Sequence, residues 1–370
     1  MRRGTVAAIA AACVAGAAGA ALLAGRAVSE ISLRPRRAGA GTGVLRVHST
    51  AAGRVALTRT PQSTRRGTYG LEWPGGHAVV GEVLETTSQT VVRRLERVDG
   101  TPPTNGTRVR LTPRVLTGDP RTALGLDFVE TWVRGELGPM PAWYVPGIRD
   151  MWVIAVHGPG TDRQQVLPVL PLLHSFKLPV LAVTYRNDEG APPSPDGLGH
   201  FGETEWRDVE AAIRLALQDG ARHVLLYGWS LGATMALQAA ARSSWSDAVR
   251  GLVLDSPVLD WHSTVRRQAT RRGVPAPLAE LGVRAAEGRS GVDVDALDRL
   301  AGGDSLHVPT LLVHGPDDTV TPLQAAERLA VTREDLVTLH TVPGAEHTAM
   351  WNAEPHGYEE ALRRFLTPLV

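Results

Sequence analysis

Residues 223–241 read HVLLYGWSLGATMALQAAA, an apolar strand pattern that passes through a G-x-S-x-G motif into an alanine-rich helix pattern. The motif places Ser230 between Gly228 and Gly232, and the two glycines permit a sharp turn in which strand and helix approach closely. A turn of this kind, a nucleophile elbow, holds the serine hydroxyl at the edge of a sheet. The N–H of Leu231 lies at the start of the helix, where it can donate to a negatively charged oxygen. The segment therefore predicts a nucleophilic serine.

The sequence on both sides of this segment alternates between strand and helix patterns. The predicted strands are 152–156, 180–185, 223–227, 251–254, 309–313 and 336–339, and the predicted helices are 205–217, 231–241 and 322–329. Continuous apolar strands that alternate with amphipathic helices indicate an α/β fold with a mostly parallel, doubly wound sheet. The alternation lapses between about 258 and 306, where we expect a small inserted cap.

Two further side chains complete a candidate triad. A carboxylate pair, Asp317 and Asp318, follows one predicted strand, and His347 follows the last one. The order serine, acid, histidine is the one that a nucleophile elbow requires, with the histidine as base and the acid as its orienting partner. The pattern alone leaves either aspartate open. It also leaves Asp255, at the end of the strand after Ser230, as an alternative acid.

The second oxyanion donor is expected from the loop 157–161, which reads HGPGT after an early strand. Pro159 has no N–H, so Gly160 or Thr161 must donate, or the oxyanion hole is formed differently. The predicted oxyanion-hole donors are accordingly Leu231 and Gly160. The predicted pocket-lining residues are Trp229, Tyr185 and Pro159.

Charged residues near the same sheet edge are interpreted as structural. Arg186 and Asp188 are expected to form an ion pair or to brace their loop. The charges at 203–208 are interpreted as a solvated helix start.

The composition excludes several other chemistries. The 370 residues include 39 basic and 38 acidic side chains, and a net charge of +1 argues against a nucleic-acid partner. The lone Cys13 excludes an intramolecular disulfide, a cysteine-based zinc site and a C-x-x-C redox pair. Lys177 is the single lysine, which leaves one candidate for Schiff-base or Ser-Lys chemistry. A hydroxyl or carboxylate nucleophile is therefore favoured.

The N-terminus has the pattern of a membrane signal. Residues 4–25 carry no charge and lie between Arg2-Arg3 and Arg26. A run of this length spans a bilayer as a helix, and it exceeds the apolar core of a usual signal peptide. We expect residues 1–26 to be a single-pass membrane anchor. The alternative is a cleaved signal peptide and a secreted protein.

Three further segments follow the anchor. Residues 27–44 are predicted to be a linker, 45–150 a β-rich segment, and 151–370 the domain that holds the candidate site. Alternating patterns around 77–84, 90–95 and 107–111 predict strands with one buried face. They are expected to form a small β-domain or to extend the following sheet.

The motifs together resemble the α/β-hydrolase superfamily. The matching residues are His157-Gly158, the motif 228–232, His314-Gly315-x-x-Asp318-x-x-Thr321-Pro322 and Gly344-x-x-His347. The third motif is similar to the H-G-x-x-D-x-x-V-P pattern of serine aminopeptidase-like and lysophospholipase-like hydrolases, in the Bem46 and ABHD-type branch. The resemblance places the acid on Asp318, with Thr321 in place of the usual valine.

The resemblance covers residues 152–370 and implies a serine hydrolase of the esterase or lipase kind. It implies an acyl-enzyme on Ser230, a small-molecule or lipid acyl substrate, and no metal or organic cofactor. Acyl transfer or peptide cleavage by the same triad stays open. A catalytically silent fold that binds or scaffolds also stays open, because Pro159 departs from the pattern of an oxyanion loop.

Overall fold

The structure, a computed structural model, describes residues 33–35, 43–271 and 273–370. The predicted membrane helix over 4–25 and most of the predicted linker lie outside these residues. Within the described ranges, every helix is too short or too polar to cross a bilayer.

Six antiparallel strands form a closed barrel near the N-terminus, in the order β1-β2-β5-β4-β3-β6. They are β1 (Val44–Ala51), β2 (Arg54–Thr58), β3 (Tyr69–Trp73), β4 (Gly76–Thr86), β5 (Thr90–Gly100) and β6 (Arg108–Thr112). Alternate side chains point inward, and Val47, Leu57 and Leu71 are fully buried there. The predicted β-rich segment thus contains a small domain with its own apolar core.

Eight further strands form one sheet, in the order β14-β13-β12-β11-β9-β10-β8-β7. They are β7 (Val129–Arg134), β8 (Pro139–Val145), β9 (Met151–Val156), β10 (Val180–Val183), β11 (His223–Trp229), β12 (Val249–Asp255), β13 (Thr310–His314) and β14 (Val337–Thr341). Strands β9 to β14 are parallel to their neighbours, whereas β7 and β8 are added antiparallel at one edge.

Strands β7 and β8 lie in the predicted β-rich segment 45–150, but they join the second sheet and not the barrel. Both arrangements that the sequence leaves open for this segment therefore occur. An alternating pattern marks a strand with one buried face but does not indicate which sheet it joins. The chain passes from the barrel to this sheet between residues 113 and 128.

Helices cover both faces of the sheet and also form the cap. They are α1 (Pro120–Leu124), α2 (Leu170–Ser175), α3 (Trp206–Gln218), α4 (Leu231–Arg242), α5 (Trp261–Arg271), α6 (Ala276–Ser290), α7 (Val294–Leu300), α8 (Leu323–Thr332), α9 (Met350–Ala353) and α10 (Pro355–Leu366). Apolar residues of α3, α4 and α8 pack on one face, and those of α2 and α10 pack on the other. The arrangement is the doubly wound one that the sequence predicts.

Helices α5 to α7 lie between β12 and β13, within the stretch where the sequence predicts a cap. They share an apolar core that includes Val265, Val283 and Leu297. Leu33, from the short described segment near the N-terminus, is buried in the same core, and its carbonyl accepts the Gly199 N–H at 2.7 Å.

Candidate active site

Ser230 lies at the junction of β11 and α4 with a φ of 53°, in the left-handed region that costs free energy for a residue with a side chain. The flanking glycines make this turn possible. A Cβ at Gly228 would lie 2.4 Å from the backbone of Ala233, and one at Gly232 would lie 2.2 Å from the carbonyl oxygen of Val156. Close approach of helix and strand therefore requires glycine at both positions.

A hydrogen-bond chain connects the three residues of the candidate triad. Ser230 Oγ lies 2.7 Å from His347 Nε2, and His347 Nδ1 lies 2.8 Å from Asp318 Oδ2. The residues follow the carboxyl ends of β11, β14 and β13, which meet at one edge of the sheet. Parallel strands thus bring together side chains that are far apart in sequence.

The Asp318 carboxylate is fixed by several donors. Its Oδ1 accepts the N–H groups of Val320 and Thr321 at 2.7 and 2.9 Å, and its Oδ2 accepts the Thr321 hydroxyl at 2.8 Å. Burial opposes ionisation, but the charge of His347 and hydrogen bonds from His314 and His347 outweigh it, and they hold the Asp318 pKa well below its usual value. Thr321, which stands in place of the usual valine, supplies two of these bonds, and the one from its hydroxyl is one that valine could not make.

Neither alternative acid contacts His347. Asp317 is exposed, and its Oδ2 accepts the Gly344 N–H at 2.7 Å. Asp255 is 1 % exposed and accepts the Tyr358 hydroxyl at 3.0 Å. Burial raises the Asp255 pKa to about 6. The structure therefore brings Asp318 to the histidine and leaves the other two carboxyls in loop and core roles.

Two strained residues that the sequence does not reveal support the segment 342–353, which carries His347 and includes the short helix α9; we call it the histidine loop. Ser256 and Thr348 have φ values of 51° and 57°. The Thr348 N–H donates to Ser256 Oγ at 3.0 Å, and Ser256 Oγ donates to Asp255 Oδ1 at 2.7 Å. This chain ties the residue after His347 to the end of β12.

The histidine loop also contacts the barrel. Asn352 accepts the Thr68 N–H at 2.8 Å on its carbonyl, and its side-chain amide donates to the carbonyls of Thr68 and Pro113, each at 2.8 Å. Ala349 is buried among the apolar residues of the barrel core. The barrel is thus packed directly against the loop that carries His347.

Two cavities adjoin the candidate triad. Ser230 and His347 line a cavity of about 150 Å³, and a cavity of about 330 Å³ lies between the barrel and the hydrolase sheet. The apolar side chains that line the smaller one include Leu33, Phe201, Leu231, Val258, Trp261, Val265 and Val320. An apolar pocket beside a serine suits an acyl group.

The three predicted pocket residues differ in which cavity they line. Pro159 lines both cavities, and Trp229 lines only the larger one. Tyr185 lines neither of them and is instead buried in a stack on His157, with ring centroids 4.7 Å apart. Its predicted role in the pocket is therefore wrong.

The predicted oxyanion donors differ in their placement. Leu231 lines the cavity of Ser230 at the first turn of α4, where backbone N–H groups have no intrahelical partner. Gly160 lines the larger cavity and not the one that holds Ser230. Pro159 and Gly160 form the centre of a tight turn, with Gly160 at a φ of 77° and the Thr161 N–H donating to the Gly158 carbonyl. Gly160 therefore lines a different cavity from Ser230, an arrangement that does not support its predicted role as an oxyanion donor.

The charged residues near β10 brace the fold, but Arg186 and Asp188 do not pair with each other. Arg186 forms a two-pronged ion pair with Asp208, with both N–O distances at 2.8 Å. Asp188 instead accepts from His157 Nε2 and from the Tyr185 N–H, each at 2.9 Å. Asp208 is 2 % exposed, so the predicted solvated helix start is wrong at this residue.

A doubly wound parallel sheet with a serine at the tight turn after a central strand defines the α/β-hydrolase class of fold. The chain belongs to the alpha/beta hydrolase family, whose sequence profile matches residues 153–361. Residues 46–112, which contain most of the barrel, match a domain of unknown function.

The chain also resembles individual proteins. It is 28 % identical over 246 residues to the uncharacterised protein Rv2307c of Mycobacterium tuberculosis, a match that covers 65 % of this chain and 78 % of that one. It is 26 % identical over 171 residues to the uncharacterised protein YqkD of Bacillus subtilis, covering 45 % and 55 %.

Among solved structures, an esterase of Pyrococcus furiosus superposes with a TM-score of 0.55 at 20 % identity, covering 69 % of this chain and 95 % of that one. This likeness shows the fold alone. The predicted superfamily is confirmed, and the Bem46 and ABHD-type branch stays a prediction.

Proposed function

We propose that this α/β hydrolase is a membrane-associated serine hydrolase that cleaves an ester, thioester or amide through an acyl-enzyme on Ser230. The observation that carries the proposal is the hydrogen-bond chain from Ser230 Oγ to His347 Nε2 at 2.7 Å and from His347 Nδ1 to Asp318 Oδ2 at 2.8 Å. A nucleophile, its base and an orienting acid within hydrogen-bond distance are the parts that acyl transfer requires.

In the proposed reaction, His347 takes the proton from Ser230 as Oγ attacks the acyl carbon, and then gives it to the leaving group. Water then attacks the acyl-enzyme in the same way, with His347 as the base, and the carboxylic acid is released from Ser230. Asp318 stays ionised throughout, keeps the proton on His347 Nδ1 before attack, and stabilises the imidazolium afterwards. The Leu231 N–H and the dipole of α4 stabilise the oxyanion.

An active-site fluorophosphonate tests the proposal. The wild-type chain is expected to be labelled, Ser230→Ala to be unlabelled, and Ser244→Ala, at an exposed serine beyond α4, to be labelled like wild type. Absence of labelling in a folded wild-type chain would refute the proposal and favour a silent fold used for binding or scaffolding.

Membrane association rests on the uncharged residues 4–25. Carbonate extraction of membranes is expected to leave the full-length chain in the pellet. Recovery of a shortened chain in the soluble fraction would instead indicate cleavage of a signal peptide.

A further inference from the structure

The larger cavity lies between the barrel and the hydrolase sheet. The barrel and the segment after it form one wall, and the loops at the carboxyl edge of the hydrolase sheet form the other. Pro159, Thr161, Gln165 and Thr348 line this cavity and also the smaller one that holds Ser230. A molecule that reacts at Ser230 can therefore extend into both.

The barrel wall is held in place by a buried arginine. Arg93 is fully buried, and its guanidinium donates to the carbonyls of Gly81, Ser63, Arg65 and Gly67 at 2.6–3.1 Å. Three of these carbonyls belong to the segment between β2 and β3. Because one rigid side chain fixes that segment, the residues that it presents to the cavity have defined positions.

The charges of this cavity are balanced, and most of them are paired. Three arginines and the carboxylates of Glu72, Asp162 and Glu346 line it. One of these arginines, Arg271, donates to the carbonyl and hydroxyl of Thr319 rather than to an acid. Arg65 of the barrel forms an ion pair with Glu346, and Arg114 lies 3.4 Å from Asp162 and 4.0 Å from Glu72. Paired ions retain N–H groups and lone pairs for further hydrogen bonds, but they create only a weak net field. Such a wall suits a neutral polar group better than an isolated anion or cation.

One hydroxyl in the wall has no partner. Tyr69 lines the cavity and is 2 % exposed, and its Oη has no hydrogen bond among the described residues. A buried hydroxyl without a partner is costly, and a ligand hydroxyl could satisfy it as donor or acceptor.

We place the leaving group of the substrate in the larger cavity. The oxygen of an ester leaving group must receive a proton from His347, which lines the smaller cavity next to the opening between the two. Of its neighbours, Thr348 lines both cavities and Glu346 lines only the larger one. The apolar cavity beside Leu231 is then left for the acyl chain.

We infer, on the basis of the proposed function, that the cavity between barrel and hydrolase binds the alcohol half of the substrate, and that this half is a neutral group with several hydroxyls, of the glycerol or sugar kind. In the reaction, a bond forms between Ser230 Oγ and the acyl carbon and the ester C–O bond breaks. The alcohol leaves with the proton that His347 took from Ser230.

Four butyrate esters with one acyl group test this inference: glyceryl monobutyrate, butyrylcholine, butyryloxyacetate and p-nitrophenyl butyrate. Among the first three, the neutral glyceryl ester is expected to have a kcat/KM about 10-fold above the cationic and anionic ones. Tyr69→Phe should lower kcat/KM for the glyceryl ester about 10-fold and leave p-nitrophenyl butyrate unchanged. Tyr144→Phe, at a tyrosine stacked on Trp152 in the sheet, is the matched control and should change neither.

Preference for either charged ester, or an equal loss for all esters in Tyr69→Phe, would overturn the inference about the alcohol. If the wild-type chain cleaves p-nitrophenyl butyrate but does not distinguish the glyceryl ester from the two charged esters, the inference about the alcohol is overturned. The proposed hydrolase function would stand in that case. Failure of the wild-type chain to cleave any ester or to react with fluorophosphonate would refute the proposed function itself.

The backbone N–H groups of the loop after β9, where a second oxyanion donor is expected, are engaged, absent or placed beside the larger cavity. The N–H of Gly158 is engaged, because it donates to Gln165 Oε1 at 2.9 Å, and Thr161 Oγ1 lies 2.8 Å from the same oxygen. Pro159 lacks an N–H, Gly160 lines the larger cavity and not the one that holds Ser230, and the Thr161 N–H donates to the Gly158 carbonyl. The backbone of residues 158–161 therefore has no free N–H beside Ser230.

The same contacts orient the Gln165 side chain. A backbone N–H only donates, so the atom it meets must be the amide oxygen, and the amino group Nε2 lies on the opposite side of the amide. Gln165 lines the cavity of Ser230, and its Nε2 has no hydrogen-bond partner within the described part of the chain. The geometry points to Gln165 Nε2 as the donor that replaces the missing N–H and stabilises the oxyanion, provided that Ser230 is the nucleophile.

The substitution Gln165→Glu tests this role, because it keeps the acceptor for Gly158 and removes the donor. We expect kcat for p-nitrophenyl butyrate to fall about 100-fold or more with little change in KM. Affinity for a boronic acid, which forms a tetrahedral adduct on serine, should fall by a similar factor. Gln218→Glu, at the exposed end of α3, is the control.

The neutral variant Gln165→Ala separates the loss of a donor from the added charge and should show a similar loss of kcat. Wild-type kcat in either Gln165 variant would overturn the assignment. A fall in kcat with unchanged boronic acid affinity would equally overturn it, since it would indicate only a displaced loop. Fluorophosphonate labelling of the wild-type chain separates these results from failure of the proposed function.

Discussion

Replacing Asp318 by asparagine exchanges one oxygen for an amino group, and the surroundings of the carboxylate decide which oxygen is replaced. Oδ1 accepts two backbone N–H groups, from Val320 and Thr321, that can only donate. The asparagine oxygen must therefore occupy the Oδ1 position, and its amino group must occupy the Oδ2 position, 2.8 Å from His347 Nδ1. The fold leaves the side chain no favourable flipped orientation.

The amino group then donates to His347 Nδ1, and the neutral imidazole carries its proton on Nε2. In that tautomer Nε2 cannot accept the proton of Ser230, 2.7 Å away. The same change in a serine protease triad lowers kcat about 10⁴-fold, and at 1.36 kcal/mol for each factor of ten this corresponds to about 5.5 kcal/mol of transition-state free energy. We expect a loss of this order, with KM little changed.

Steady-state hydrolysis of p-nitrophenyl butyrate at pH 8 measures the effect, with circular dichroism to verify folding. Asp317→Asn is the matched control, because Asp317 is exposed and its described contact is the Gly344 N–H. It should stay within about threefold of wild type, as expected for one exposed hydrogen bond. A large loss in Asp317→Asn together with near-normal turnover in Asp318→Asn would refute the assignment of the acid.

Three further predictions follow from the packing around the site. Asn352→Ala removes two side-chain hydrogen bonds from the histidine loop to the barrel, and it should lower kcat on the order of 10-fold in the same assay, because small displacements of a base are costly. Gly232→Ala places a Cβ 2.2 Å from the Val156 carbonyl oxygen, and urea denaturation should show a loss of about 3 kcal/mol or more in the free energy of unfolding. Asp255 has a folded pKa of about 6 against 3.8 in the unfolded chain, so its contribution to stability is present at low pH and is lost as the pH rises through 6. Asp255→Asn cannot ionise, and its stability relative to wild type should rise by about 2 kcal/mol between pH 4.5 and pH 8; a difference that does not change with pH would contradict the raised pKa.

The elements nearest to Ser230 are the ones that the sequence predicts best. The elbow, the flanking strand and the helix that follows it are local, so their periodicity and glycines are visible in a window of about 20 residues. The position of the carboxylate and the histidine after predicted strands indicates their roles. Only the resemblance to a known pattern separates Asp318 from Asp317 in the sequence, and the structure supplies the physical reason, which is the set of donors that hold the Asp318 carboxylate.

Two of the differences share a physical cause. Charged residues at a helix start usually lie in solvent, but Arg186, 22 positions before Asp208, reaches it across the fold. The alternating patterns of residues 45–150 do not specify which sheet each strand joins, and the structure divides the strands between the barrel and the hydrolase sheet. Both outcomes depend on neighbours that are distant in sequence. The placement of Gly160 has a local cause instead, the Pro-Gly turn of residues 158–161.

The sequence by itself determined the α/β class, the serine on its turn and the chemistry available to a chain with one cysteine and one lysine, because these depend on residue type and short-range spacing. Only the tertiary structure decided that the barrel packs against the loop that carries His347. Asn352 and Thr68 are 284 positions apart, yet their hydrogen bonds hold the histidine loop against the barrel, and the cavity between the two domains exists only because they pack there. Contacts of this range are set by which apolar faces bury one another, and no local pattern encodes that choice.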